Sequence, residues 1–232
     1  MCIPDMTIEV KICGLTDAAA VDTAIAAGAD YVGFVFFPKS PRHLRLEQAR
    51  ELVARARGAS RIVALLVDPS DALVDDVVGA VAPDFLQLHG SETPQRVSEI
   101  KQRTGCRVIK AVKVATKDHV TRAQGFAAVV DLMLYDAKPP EGMVGALPGG
   151  NGLTFDWRLL EAVAPGEHYM LSGGLDVGNI AEAVRLTNAP AVDVSSGVEA
   201  APGHKDPELI RRFVAAAKTI APTRQGKADA HV

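Results

Sequence analysis

Short apolar runs recur along the chain, and amphipathic stretches lie between them. The runs are rich in Val, Ile, Leu and Phe, and each has the length of a buried strand rather than of a helix. Eight such runs occur, at 7–12, 31–36, 61–67, 85–88, 107–112, 132–135, 168–171 and 191–194. Ala-rich stretches with helical periodicity separate them, for example at 16–29, 45–57 and 206–220. This alternation predicts βαβ units and a parallel sheet.

Eight strand–helix units predict an α/β fold of the TIM-type (β/α)8 barrel class. Most strand starts are 22–30 residues apart, which suits one helix per unit. The sixth unit spans 36 residues, and its excess is a Pro- and Gly-rich loop over 138–152. A long loop in a compact domain is usually functional. We therefore expect a single-domain barrel over 7–221, with frayed extensions at 1–6 and 222–232 and with its chemistry at the C-terminal ends of the strands.

Composition excludes several classes of protein. The chain is 48% hydrophobic, which is enough to bury a sizeable core. No apolar run reaches the ~18 residues of a membrane span, and the start lacks a secretory signal. A net charge of -3 without a long basic run argues against a nucleic-acid surface. Three cysteines without paired spacing indicate a reducing cytoplasm rather than a disulfide framework.

Two Ser-Gly turns, LSGGLD (171–176) and VSSGVE (194–199), follow the last two predicted strands. Glycine lets the backbone approach a ligand closely, and the loops after strands 7 and 8 form the phosphate site of many TIM barrels. A single such turn would be explained by turn formation alone, whereas two at these strands favour phosphate binding. The candidate phosphate-binding residues are Gly173, Gly174, Ser195, Ser196 and Gly197.

Cys13 ends the first predicted strand. Because side chains alternate along a strand, Glu9, Lys11 and Cys13 share one face, which should point into the barrel. Lys11 would then lie one layer below Cys13, and a nearby cation lowers a thiol pKa from its usual value of ~8.5. An inert buried cysteine fits the same position. Cys2 and Cys106 lie away from the strand ends where catalysis is expected, and we interpret both as structural.

Asp136 ends the sixth predicted strand, on the same face as Leu132 and Leu134. A carboxyl at the mouth of an apolar barrel can keep its proton, as a general acid requires. Strands 1 and 6 are three apart around a ring of eight, so Cys13 and Asp136 would form an acid–base pair flanking a small substrate. The alternative is a loop aspartate that caps the next turn.

Three further polar residues follow or end strands. Arg42 lies in a loop that two prolines stiffen, and its guanidinium suits a carboxylate, although a solvated loop arginine is the alternative. Asp193 alternates with Val192 and Val194, so it should face the interior and accept hydrogen bonds from sugar hydroxyls. His89 fits a ligand or a catalytic base, but simple packing also accounts for it. The histidines lack the spacing of a metal site.

Seven blocks carry a resemblance to a known family. They are KICGLT (11–16), DYVGFVFFPKSPRHL (30–44), LQLHG (86–90), LYDA (134–137), GGNGLTFDW (149–157), LSGGL (171–175) and VDVSSGVEAAPGHKD (192–206). With these blocks in this order, the chain resembles the phosphoribosylanthranilate isomerases over almost the whole barrel. The family's glycine loop often has threonine where this chain has Asn151.

The resemblance implies an Amadori rearrangement in tryptophan biosynthesis. In it, Asp136 matches the general acid that protonates the ribose ring oxygen, and Cys13 matches the general base that removes the C2′ proton. Arg42 matches the arginine that holds the anthranilate carboxylate, and the two Ser-Gly turns match the phosphate loops. It also implies a phosphorylated small-molecule substrate and no metal or organic cofactor. From the composition we expect no nucleic-acid or membrane partner, and we expect a monomer or a homodimer.

Two other functions stay open from the sequence. The histidine-pathway isomerase of the same fold shares the phosphate loops but has an aspartate in place of Cys13, and a bifunctional isomerase is a variant of this alternative. A phosphate-binding barrel without catalysis would need neither Cys13 nor Asp136. Turnover with each purified substrate distinguishes these functions.

Overall fold

The computed structural model describes residues 7–137, 149–163 and 167–220. Both predicted terminal extensions, 1–6 and 222–232, lie outside these ranges, as do residues 138–148 of the predicted long loop.

Eight parallel strands form a closed barrel, which confirms the predicted TIM-type fold. Each strand pairs with its neighbour along the chain, and β1 also pairs with β8 to close the ring. The strands are β1 (Glu9–Cys13), β2 (Tyr31–Val35), β3 (Arg61–Leu66), β4 (Phe85–Leu88), β5 (Arg107–Val114), β6 (Leu132–Ala137), β7 (Tyr169–Leu171) and β8 (Ala191–Val194). The sixth strand is longer than its apolar run, so Asp136 lies within it.

Helices connect the strands on the outside of the barrel. They are α1 (Ala18–Ala27), α2 (Leu46–Ala56), α3 (Asp71–Val81), α4 (Pro94–Thr104), α5 (Lys117–Ala123), α6 (Ile180–Thr187) and α7 (Pro207–Lys218). Ser70 and Thr93 cap the N-termini of α3 and α4 by accepting backbone N–H hydrogen bonds. None of these helices, nor any other in the described ranges, is long and apolar enough to cross a membrane.

In the sixth unit, the helix that the structure describes between β6 and β7 is a short 3-10 helix, Trp157–Ala162.

Successive side chains along each strand point alternately into the barrel and out toward the helices, which gives two apolar layers. The inner layer fills the barrel below its mouth with side chains such as Tyr31, Phe85, Leu134 and Met170. The outer layer, which includes Val10 and Ile12, packs between the strands and the helices. The polar residues of β1 therefore point inward, and Lys11 and Cys13 are both buried there, as predicted.

A small antiparallel hairpin follows β8 and covers part of the barrel mouth. It consists of β9 (Glu199–Ala201) and β10 (His204–Lys205), and we call it the mouth hairpin. The Thr16 hydroxyl donates a 2.8 Å hydrogen bond to the Gly203 carbonyl. Gly203 has φ +83°, and a Cβ there would lie 2.6 Å from the Pro41 carbonyl oxygen. Glycine therefore permits the hairpin to pack against the loops after β1 and β2.

Candidate active site

A cavity opens at the C-terminal ends of the strands. It is lined by eight of the nine residues that the sequence predicts for catalysis or substrate binding: Cys13, Arg42, Asp136, Gly173, Gly174, Asp193, Ser195 and Ser196. The ninth, Gly197, follows Ser196 in the chain. The strand-end rule for TIM barrels thus brings together residues that are distant in sequence.

The Cys13 thiol lies at the base of this cavity, in contact with apolar and charged groups. Val35 and Leu65 pack with it on the apolar side. Burial raises the pKa of the Cys13 thiol, while the Lys11 ammonium opposes that increase. The net effect raises the thiol pKa. Lys11 therefore lowers this pKa as predicted, but the effect of burial is larger.

Lys11 and Asp193 form a buried ion pair below Cys13, with 2.8 Å between the Lys11 Nζ and the Asp193 Oδ1. The second oxygen of Asp193 accepts a 3.2 Å hydrogen bond from the Ser172 hydroxyl. Although burial opposes the charge of Lys11, the Asp193 carboxylate and the Cys13 sulfur raise the pKa of its ammonium. Asp193 faces inward as predicted, but much of its hydrogen-bonding capacity is used by protein groups.

Asp136 accepts hydrogen bonds on both carboxylate oxygens. The Ala137 N–H donates to Oδ1 at 2.9 Å, and the His89 Nε2 lies 3.1 Å from Oδ2. On the other side of the imidazole, the Gln87 amide nitrogen lies 3.0 Å from Nδ1. An amide nitrogen can only donate, so this arrangement puts the ring proton on Nε2, where it faces Asp136.

The described part of the glycine loop after β6 lies against this acid. A Cβ at position 149 would lie 2.7 Å from the His89 Cε1 and 3.1 Å from the Asp136 Oδ2. A Cβ at position 173 would lie 2.6 Å from the Ala137 nitrogen and 3.2 Å from the Asp136 Oδ1. Side chains at these two positions would therefore crowd the carboxyl, and glycine keeps it accessible from the cavity.

Arg42 is buried and already has an anionic partner. Its Nε and Nη2 donate hydrogen bonds of 2.7 and 2.8 Å to the two oxygens of Glu199, in a bidentate pair. The same Nη2 lies 3.3 Å from the Gly150 carbonyl oxygen. Its remaining nitrogen, Nη1, makes no hydrogen bond to the described residues. The alternative of a solvated loop arginine is therefore wrong.

The two Ser-Gly turns form the wall of the cavity after β7 and β8. Gly173 and Gly174 have φ values of +91° and +62°, which are open mainly to glycine. A Cβ on Gly197 would overlap the Leu175 carbonyl oxygen, so this glycine lets the two turns pack against each other. A short 3-10 helix, Ser196–Val198, follows β8 as in the phosphate sites of this fold.

Opposite the polar groups, the cavity has an apolar wall. Val35, Phe37, Leu65 and Val67 line it next to Cys13. Among the residues that the structure describes, no group of three or more His, Cys, Asp or Glu side chains could hold a metal ion.

The family model for N-(5'-phosphoribosyl)anthranilate isomerase matches residues 10–216. The chain belongs to this family. The N-(5'-phosphoribosyl)anthranilate isomerase of Parvibaculum lavamentivorans is 54% identical over 213 residues, which cover 92% of this chain and 99% of that relative. A second, in Rhizobium meliloti, is 53% identical and covers 92% of this chain and 98% of its own length.

Solved isomerases of the family share the fold as well. Phosphoribosylanthranilate isomerase from Thermotoga maritima superimposes with a TM-score of 0.80 at 35% identity, over 92% of this chain and 100% of that one. A complex of the isomerase with reduced 1-(o-carboxyphenylamino)-1-deoxyribulose 5-phosphate gives a TM-score of 0.77 at 33% identity, with the same coverage.

Four residues in or behind the site could not be assigned a definite role from the sequence. No sequence pattern predicts a role for Glu199 and Lys205, which lie on the mouth hairpin. The sequence leaves His89 open between packing and a role in the site, and the structure shows that it lines the cavity and contacts Asp136. Gln87 could have indicated that His89 faces the interior, because residues i and i+2 of a strand point to the same side.

Proposed function

We propose that this chain isomerises N-(5'-phosphoribosyl)anthranilate to 1-(2-carboxyphenylamino)-1-deoxyribulose 5-phosphate, with Asp136 as general acid and Cys13 as general base. The observation that carries this proposal is that both side chains line one cavity from strands three apart in the barrel. A thiol and a carboxyl on either side of a substrate can deliver and remove protons at different atoms.

The first step opens the ribose ring. Asp136 gives its proton to the ring oxygen as the bond between that oxygen and C1′ breaks. The nitrogen lone pair of the anthranilate forms a double bond to C1′ and leaves a protonated Schiff base. His89, 3.1 Å from the carboxylate left behind, is placed to stabilise it with a hydrogen bond.

The second step moves the double bond. The Cys13 thiolate removes the proton from C2′, and the C–H electron pair forms a C1′–C2′ double bond while the nitrogen regains its lone pair. The resulting enolamine becomes the ketone when C1′ takes up a proton and the C2′ hydroxyl loses one. Asp136 has lost one proton and Cys13 has gained one, so proton exchange with solvent returns both groups to their starting states. No external oxidant or reductant is needed, and we propose that no metal or organic cofactor takes part.

Substrate binding divides among three regions of the cavity. We assign the phosphate to Gly173, Gly174, Ser195, Ser196 and Gly197 in the two Ser-Gly turns. Arg42, whose Nη1 has no partner among the described residues, receives the anthranilate carboxylate. The aromatic ring packs against the apolar wall beside Cys13, and Asp193 faces the sugar while it holds Lys11.

The apolar wall and Cys13 both favour this reaction over that of the histidine-pathway isomerase. The proposed base, Cys13, must stay a free thiol to act. We therefore also propose a reducing compartment, the cytoplasm, as the site of action. For assembly, a monomer or a homodimer is proposed; one Thermotoga maritima relative is described as dimeric.

The test is turnover by the purified chain. We expect it to isomerise N-(5'-phosphoribosyl)anthranilate and to leave the substrate of the histidine-pathway isomerase unchanged. Comparable rates on both substrates would indicate a bifunctional enzyme. Binding of the reduced product analogue without turnover of either substrate would contradict the proposal and indicate a binding protein.

A further inference from the structure

Lys205 lies on the mouth hairpin, behind the cavity wall, and is not among the residues that line the cavity. We propose that Lys205 is a positioning residue that couples the phosphate loop after β8 to the carboxylate-binding Arg42. This inference rests on the proposed function, because it takes the substrate to carry an anionic group at each end.

The first connection runs from Lys205 to the phosphate loop. Its Nζ donates to the Ser195 backbone carbonyl at 2.9 Å and to the Ser195 hydroxyl at 3.2 Å. Both the main chain and the side chain of Ser195 are therefore fixed by one ammonium group. The next residue, Ser196, begins the short 3-10 helix of the phosphate loop.

The second connection runs from Lys205 to Arg42 through Glu199. The Lys205 Nζ lies 2.7 Å from the Glu199 Oε1, and the same oxygen accepts the Arg42 Nε hydrogen bond, also at 2.7 Å. Burial alone would raise the pKa of the Glu199 carboxyl, but Arg42 and Lys205 together lower it. Glu199 is thus an anion between two cations, and it holds the guanidinium in one orientation.

The donor count of Lys205 shows that it acts through other residues. An ammonium has three N–H donors, and three acceptors surround this one: the two Ser195 oxygens and Glu199. No donor is left for substrate. Its side chain is fully buried, and burial lowers the pKa of the ammonium despite the opposing effect of Glu199.

The arrangement also sets the charge of the mouth. Arg42 and Lys205 carry two positive charges against the one negative charge of Glu199, so the cluster keeps one net positive charge near both ends of the substrate. Without Lys205, the charges of Arg42 and Glu199 would cancel, and Ser195 would lose both of its hydrogen bonds to the ammonium. Both anion-binding regions should then weaken together, which a purely structural lysine would not require.

Two ligands separate the two regions: ribose 5-phosphate, which has the phosphate only, and the reduced product analogue, which also has the carboxylate. We expect K205M to weaken both ligands by about tenfold or more, because charge-assisted hydrogen bonds at two regions are lost. In contrast, E199Q frees the Arg42 guanidinium but keeps the Lys205–Ser195 hydrogen bonds, so it should weaken the analogue more than ribose 5-phosphate. For substrate turnover, K205M should raise KM more than it lowers kcat.

K117M is the matched control, because it removes the same charge from an exposed position on α5. It should leave both affinities unchanged, which excludes a general effect of net charge. Melting temperatures identify any variant that is merely unfolded. If K205M does not fold, K205Q, which keeps a polar group near Ser195, should show the same loss of both ligands to a smaller degree.

The coupling is overturned if folded K205M or K205Q binds ribose 5-phosphate as tightly as wild type. It is also overturned if either variant lowers only the melting temperature. These outcomes differ from failure of the proposed function, in which the wild-type chain binds the analogue but turns over no substrate.

Discussion

Gly33 lies directly opposite Cys13 in the β1–β2 register, and a Cβ atom at position 33 would lie 3.0 Å from the Cys13 Sγ. The same atom would lie 3.1 Å from the Cys13 Cα and 3.2 Å from the Lys11 Cε. The Cys13 thiol can therefore occupy this position only because residue 33 on the neighbouring strand has no side chain. This relationship makes the position of the base sensitive to one methyl group.

Gly33→Ala should reduce turnover while the barrel stays folded. Forced contacts of this kind cost about 1–3 kcal/mol, and here the crowded group is the base itself. We expect kcat to fall by about tenfold or more, with a smaller change in KM. Steady-state kinetics and a thermal melt check this. Unchanged kcat would show that the thiol need not occupy its present position.

Cys13→Ser should remove most of the activity without loss of the fold. Serine is close to cysteine in size, but a hydroxyl is a far weaker base than a thiolate. General acid–base groups contribute typically ~10²–10⁴-fold to rate, and we expect a fall in kcat within that range. Near wild-type turnover by this variant would remove Cys13 from the mechanism.

The contribution of Cys13 to kcat should increase toward alkaline pH. The active form of Cys13 is the thiolate, and burial raises the pKa of this thiol despite Lys11. The thiolate fraction therefore grows as pH rises. Ring opening also needs the Asp136 proton, but Cys13→Ser shares this requirement, so it cancels in the ratio of wild-type kcat to Cys13→Ser kcat. That ratio, measured across a pH profile, should rise, and a ratio that falls from pH 7 to pH 9 would be incompatible with a thiolate base.

Arg42→Ala should act mainly on substrate binding. A charge-assisted hydrogen bond to the anthranilate carboxylate contributes on the order of 1.5–3 kcal/mol. The variant also leaves Glu199 with Lys205 as its remaining cation, which removes the net positive charge beside the binding region. KM should therefore rise more than kcat falls. If KM stays at the wild-type value, the carboxylate is held elsewhere.

The eight strands and the inward positions of Cys13, Asp136 and Asp193 follow from local patterns, because alternation within a strand sets the face and the strand end sets the depth. The Arg42–Glu199–Lys205 cluster could not be predicted in this way. Its hairpin strands are too short to show alternation, and the cluster forms only when the hairpin packs over the mouth.

The central claim is that Asp136 donates the proton that opens the ribose ring, and Asp136→Asn tests it most directly. The amide keeps the size of the carboxyl and can hydrogen-bond to His89 if that ring changes tautomer. Gln87 permits the change, because its Oε1 is buried without a partner and can accept from Nδ1–H once the amide turns.

The measurement is kcat of Asp136→Asn, beside its affinity for the reduced product analogue and its melting temperature. An amide cannot give up a proton to the ring oxygen, so kcat should fall by about 10²-fold or more. Analogue affinity should stay close to wild type, because Arg42 and the phosphate loops hold the ligand. Full kcat with a stability loss of about 1 kcal/mol would instead identify Asp136 as a turn-capping residue and would contradict the account.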